Sequence, residues 1–233
     1  MIIEGAISVK AAINGHKRDI ETVYIDLDKK TKDFNYIRKL CSLNNIVLNE
    51  INRSDFDSFN VGKSFGGVIA SVGKRISDNF DDGDIFYIDG IEDPFNLGYI
   101  IRTLYAFGIN NVLLPKRDYS TFDGQMLKSS AGALDFINVR YVDDDYSLMK
   151  EYKNKGYHLY SLYRGEGSKD IFDEKFPDKC LFMLGGEKRG ISSKLLSLSD
   201  TYLYIPYGND FRNSLNAASA ASVVSALLYG QRK

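Results

Sequence analysis

From residue 85 onward the chain alternates short, almost unbroken apolar runs with helix-patterned segments, and this constrains its fold more than any other feature. The runs IFYID (85–89), VLLP (112–115), NVRYV (138–142), HLYSLY (158–163), CLFML (180–184) and YLYIP (202–206) read as strands. Between and after them, YIIRTLYAFG (99–108, ended by Gly108) and the segments around 125–130, 146–155, 192–198 and 214–229 read as helices. A strand buried on both faces loses the alternation of polar and apolar residues. The pattern therefore predicts a parallel sheet with helices on both sides.

Ahead of this region the helix-like AISVKAAI and FNYIRKLC interleave with the strand-like IETVYID, IVLNEI and GGVIASV, a pattern for a small α/β domain over residues 1–76. The polar, acidic, glycine-bearing stretch 77–84 reads as a linker to a second domain over 85–233. With 233 residues, 44% of them hydrophobic, the chain can bury both cores. No apolar run approaches the roughly 18–20 residues of a membrane span, and the N-terminus shows no secretory pattern, so a cytoplasmic protein without membrane contact is expected. Two isolated cysteines, Cys41 and Cys180, and two histidines, His16 and His158, cannot supply a zinc site of standard spacing, and no metal is expected. The formal charge of −1 argues against a general polyanion-coating protein and leaves only local basic patches, Asn14–Arg18 and Lys29–Lys32, as candidate nucleic-acid contacts.

Ligands of parallel α/β sheets lie at the carboxyl ends of strands, which selects the loops 90–98, 185–190 and 207–213. In the first, Asn96 stands just before a predicted helix start, where it suits an N-cap. Arg102 lies farther along a helix apolar on nearly all sides; a buried guanidinium needs a partner and suits a phosphate or carboxylate. The second, LGGEKRG, offers glycines that allow close approach of backbone to a ligand, and Glu187 as an acceptor of hydrogen bonds. It is neither the dinucleotide fingerprint nor a phosphate-binding P-loop. The third leads into a helix rich in alanine and serine, which Asn213 or Ser214 can cap, with Asn216 facing the loop from the first turn.

Taken in order, DPFNLGYIIRTLYAFG, LGGEKRGI and IPYGNDFRNSLNAASA resemble the three motifs of the SpoU, or TrmH-type, RNA ribose 2′-O-methyltransferases. KSSAGAL (128–134) is similar to the serine-glycine segment between the first two, and residues 1–76 resemble more weakly the substrate-binding domain that often precedes the catalytic one. The resemblance implies a methyltransferase domain with a C-terminal trefoil knot, a homodimer formed through the C-terminal domain, and S-adenosylmethionine as methyl donor. It further implies a cofactor pocket lined by Leu184, Gly185, Gly186, Gly190, Ile205 and Leu215. The reaction site would comprise Asn96, Arg102, Glu187, Ser214 and Asn216. The implied substrate is RNA, ribosomal rather than transfer RNA. The alternatives are a transfer-RNA enzyme of the same kind and a non-catalytic RNA-binding protein that keeps the fold.

Overall fold

A computed structural model describes residues 1–62, 65–80, 82–186 and 189–233. They form two compact units, one of residues 1–76 with 118–136 and the other of residues 77–117 with 137–233.

The first unit begins with β1 (Ile2–Glu4), α1 (Ala6–Gly15), β2 (Ile20–Asp26), α2 (Lys32–Leu43), β3 (Val47–Ile51) and β4 (Val68–Val72). Its sheet has the order β1-β4-β2-β3, with β4 antiparallel to both neighbours and β2 parallel to β3. Val23, Ile25, Val68, Ile69 and Ala70 of the central strands are fully buried.

The second unit opens with β5 (Ile85–Ile88), α3 (Pro94–Ala106) and β6 (Asn111–Pro115). The chain then supplies α4 (Asp123–Ser129) to the first unit, where α4 packs against α1 and β1. It continues through β7 (Asn138–Val142), α5 (Asp145–Asn154), β8 (His158–Leu162), β9 (Lys169–Asp170), β10 (Cys180–Leu184), α6 (Ser193–Leu196), β11 (Thr201–Tyr204) and α7 (Ala217–Arg232). The expected parallel sheet is present: seven strands in the order β7-β6-β5-β10-β8-β11-β9, every neighbouring pair parallel. Every residue of β5 and β10 is buried, which is why their sequences are continuously apolar. Register sets Phe86 opposite Phe182 and Phe182 opposite Tyr160, so the three rings run side by side across the sheet at centroid separations of 5.0 and 5.2 Å. Phe176 meets both Tyr160 and Phe182 edge-on.

The placement of 118–136 departs from the sequence reading, which counted this segment with the second domain. The reason is a buried charge cluster. Arg18 is 4% exposed, and its guanidinium donates to Asp123, at 2.6 Å (Nη2) to Asp135 Oδ1, and at 3.2 Å (Nε) to the same oxygen. Arg75 adds a hydrogen bond of 3.2 Å to the Leu134 carbonyl. Burial opposes the charge of Arg18, but the bond to Asp123 and the charge of Asp135 outweigh it and raise the pKa above the ordinary arginine value. This removes Arg18 from the basic patch expected at 14–18. The second patch is a helix entrance, where the Thr31 hydroxyl caps α2 by accepting from the Phe34 N–H at 3.2 Å and Lys29 donates to the Gly66 carbonyl at 2.8 Å.

Cys41 and Cys180 are buried free thiols, and burial pushes them up to about 11 and about 12 respectively. His158, the first residue of the interior strand β8, packs on Tyr160 and bonds Thr201 Oγ1 at 2.9 Å. Among the described residues no helix is long and apolar enough to cross a membrane.

Candidate functional site

In the second unit, the carboxyl ends of the adjacent strands β10, β8 and β11 open into one cleft with a volume of about 360 Å³, within the ~300–1,000 Å³ typical of small-molecule sites. Leu184, Gly185, Gly186, Gly190, Ile205 and Leu215, the residues expected around a cofactor, all line it, and so does Ser214.

The glycine loop has a different physical reason from the one read in the sequence. A Cβ on Gly185 would lie 2.3 Å from the Gly190 carbonyl carbon, and one on Gly186 would lie 2.2 Å from the Gly90 carbonyl oxygen. The missing side chains therefore let backbone pass backbone. Gly190 N–H donates to the Gly186 carbonyl at 2.9 Å and closes the turn, while the Gly90 contact joins the loop after β5 to the loop after β10. Asp89 N–H also donates to the Leu184 carbonyl at 2.9 Å. Glu187 lies outside the described residues.

On the opposite wall Tyr207 fixes the segment that enters α7. Its hydroxyl accepts the Leu215 N–H at 2.9 Å, and its ring meets Phe211 at 5.7 Å. Asn216 is the N-cap of α7, with its side-chain oxygen accepting the Ser219 N–H at 2.8 Å. This corrects the expected cap: the helix starts at Ala217, later than read, so neither Asn213 nor Ser214 caps it. The cap leaves the amide nitrogen of the exposed Asn216 directed away from the helix backbone.

The first loop is corrected in the same sense. Pro94 begins α3, and Asp93 caps it by accepting from the Phe95 and Asn96 N–H groups at 3.3 and 3.0 Å. Asn96 thus sits inside the first turn. Arg102 is exposed, not buried, and makes no side-chain hydrogen bond or ion pair with the described residues. Its helix buries Leu97, Ile100, Ile101 and Leu104 but exposes Phe95, Tyr99 and Tyr105, each at least 40%, on the side that carries Arg102. Large aromatic residues on the exposed face, opposite the buried aliphatic one, made the helix read as wholly buried. Because α3 packs on α7, Asn96, Arg102 and Asn216 belong to two neighbouring helices, though none of the three lines the cleft.

The cleft also has a wall that sequence reasoning missed. Leu162, Tyr163 and Arg164 line it from the end of β8. The strand itself was legible as HLYSLY; applying the strand-end rule to every strand would have selected its carboxyl end as well. Leu162, Leu184, Ile205, Leu215 and Ala217 give the cleft apolar walls, and the loop backbones supply polar groups. Such a surface suits a largely flat, partly apolar cofactor with a few polar edges.

The SpoU rRNA methylase family model matches residues 84–226, and the model of the RNA 2′-O ribose methyltransferase substrate-binding domain matches residues 2–75. A Staphylococcus saprophyticus protein assigned to the TrmH family of tRNA/rRNA methyltransferases is 29% identical across 100% of this chain and 96% of its own length. In fold, the chain is similar to the SpoU methyltransferase AviRb of Streptomyces viridochromogenes, crystallised with AdoMet, at a TM-score of 0.81 and 22% identity over 100% of this chain and 90% of that one. An AdoMet-bound rRNA methyltransferase of Sinorhizobium meliloti gives a TM-score of 0.80 at 17% identity, over 100% of this chain and 87% of that one. With its parallel sheet, its glycine loop after β10 and a family match over more than half its length, the chain belongs to the SpoU methylase family.

Proposed function

We propose that this protein transfers a methyl group from S-adenosylmethionine to a ribose 2′-hydroxyl of ribosomal RNA. The observation that carries the reading is the single cleft at the ends of β10, β8 and β11, in which all the residues expected around the donor meet. The donor supplies a sulfonium-bound methyl group open to in-line attack by an oxygen nucleophile.

The chain's contribution is mainly positioning, since alignment of the two reactants replaces a bimolecular encounter. Gly185 and Gly186 shape a wall in which backbone packs closely on backbone, and Tyr207 holds the Leu215 N–H on the other side of the cleft. Ser214 lines the cleft, and Asn216, two residues on at the N-cap of α7, is the next polar side chain from which a ribose can be held by hydrogen bonds. The Arg102 guanidinium carries only hydrogen-bond donors and has no acceptor for the hydroxyl proton. It instead grips an RNA phosphate and stabilises the charge growing on the ribose oxygen, and phosphate or water takes the proton. The first unit serves as the RNA-binding module.

The exposed Phe95, Tyr99 and Tyr105 form an aromatic face larger than isolated surface residues would explain, and a second copy of the chain is its occupant in this reading. A homodimer through the second unit then buries these rings and brings Arg102 out of bulk solvent. The trefoil knot of the C-terminal segment belongs to the same reading.

Ribose methylation mapped across the RNA of a deletion strain tests the proposal. One ribosomal site should lose its methyl group, regain it with the wild-type chain, and regain it at a rate lower by about a hundredfold with Arg102→Lys, the usual scale for a lost transition-state donor. Loss confined to a transfer RNA would move the substrate, and unchanged methylation in every RNA would reject the reading.

A further inference from the structure

We propose that Arg164 is the residue that binds the carboxylate of the methyl donor's amino-acid tail, an inference that rests on the cofactor reading above. Among the described residues lining the cleft, Arg164 is the only one that carries a formal charge. It is exposed, and it forms no ion pair with the described residues. Its guanidinium lies over the ring of Tyr207, 4.5 Å from the centroid. Stacking uses the face of the guanidinium and leaves its N–H donors free in the plane, which is the arrangement that pairs with a planar carboxylate.

The platform under Arg164 is built from both sides. Tyr207 is anchored by the Leu215 N–H, as described, and so links the guanidinium to the segment entering α7. The preceding residue, Tyr163, donates its N–H to the Leu203 carbonyl at 2.9 Å and sets its ring edge-on to Tyr202 at 5.6 Å. The turn that follows is closed by Ser168, whose hydroxyl donates to the Tyr163 carbonyl at 2.9 Å and accepts the Gly165 N–H at 3.3 Å. An arginine whose guanidinium rests on a ring and whose flanking residues are hydrogen-bonded loses less freedom on binding than a free surface arginine does.

Charge selects the carboxylate. S-adenosylmethionine carries a sulfonium and an ammonium, so an unpartnered guanidinium on the cleft wall would repel it. The donor's own carboxylate is the anion that enters the cleft with it and removes that penalty. A phosphate of the RNA is the competing anion, and it gives a different result.

The test compares S-adenosylmethionine with its decarboxylated analogue by titration calorimetry on the full chain, wild type and Arg164→Met. The wild type should bind the intact donor about tenfold or more tightly than the analogue, the scale of a charge-assisted bidentate pair, and Arg164→Met should erase that preference, weakening the intact donor while binding the analogue at least as tightly as the wild type does. A variant that keeps the preference, or a wild type that has none, overturns the inference. If Arg164 serves the RNA instead, the variant leaves both donor affinities unchanged and weakens only RNA binding. A wild type that binds neither compound rejects the cofactor reading itself and this inference with it, so the two failures are distinguishable.

Discussion

The two units bury opposite kinds of chemistry. In the second, fully buried β5 and β10 meet through Phe86, Phe182 and Tyr160, and order comes from register and ring packing. In the first, Arg18 reaches Asp123 and Asp135, partners 105 and 117 residues away in sequence, and order in 118–136 depends on charge. An apolar core tolerates substitutions of similar volume, whereas a buried ionic cluster fails badly when one member is removed, since the remaining charges are left without compensation. The cleft, built from backbone turns of the second unit, should therefore survive damage to the first.

The largest expected effect uses that contrast. Arg18→Met should destabilise the first unit by about 3–5 kcal/mol, because Asp123 stays buried without its cation and Asp135 keeps only the more distant Arg75, at 3.9 Å. Hydrogen exchange should quicken at α1 and β2 while β10 stays protected, and the cleft should keep its affinity for S-adenosylmethionine. Equal loss of protection in both units would break the comparison.

Gly186→Ala is the converse. Its Cβ would stand 2.2 Å from the Gly90 carbonyl oxygen, so the loop must move. The cost is about 1–3 kcal/mol, spent in the cleft, and donor affinity should fall about tenfold or more while exchange in the first unit is unchanged. Unaltered affinity, measured by calorimetry, would show that the glycine loop does not shape the donor site.

Asn216→Ala is the smallest and sharpens the role of one residue. Loss of the N-cap should cost about 1 kcal/mol and lower the thermal midpoint by about 2–4 °C. Asn216→Ser restores a capping oxygen and with it the midpoint. If the side-chain amide also holds substrate, turnover stays low in the serine variant; full recovery of both would leave Asn216 a cap and nothing more.

Sequence alone carried the second unit's sheet because its strands are apolar throughout, and that property survives without any knowledge of partners. The strand ends were legible for the same reason and selected the loops 185–190 and 207–213, whereas Leu184, Ile205 and Leu215 came only from the resemblance to the SpoU motifs. What depended on distant pairing was not legible. Nothing local in Asp123 or Asp135 says that Arg18 will claim them, and so the packing of 118–136 with the first unit was not anticipated. Helix caps were misplaced by two or three residues because several capping side chains compete near each start: Asp93 wins over Asn96, and Asn216 over Ser214. Arg102 was misread because large aromatics served as a sign of burial, although Phe95, Tyr99 and Tyr105 face outward in the chain described. Arg164 went unnoticed because a lone arginine after a strand has no pattern until the fold places Tyr207 beneath it.

The most direct test of the central claim is a crystal structure of the full chain with S-adenosylhomocysteine. The ligand is expected between the 185–190 loop and the Tyr207–Leu215 segment, in contact with the end of β8. Ligand bound away from those turns, or a chain that crystallises without it at saturating concentration, would contradict the assignment of this cleft to the methyl donor.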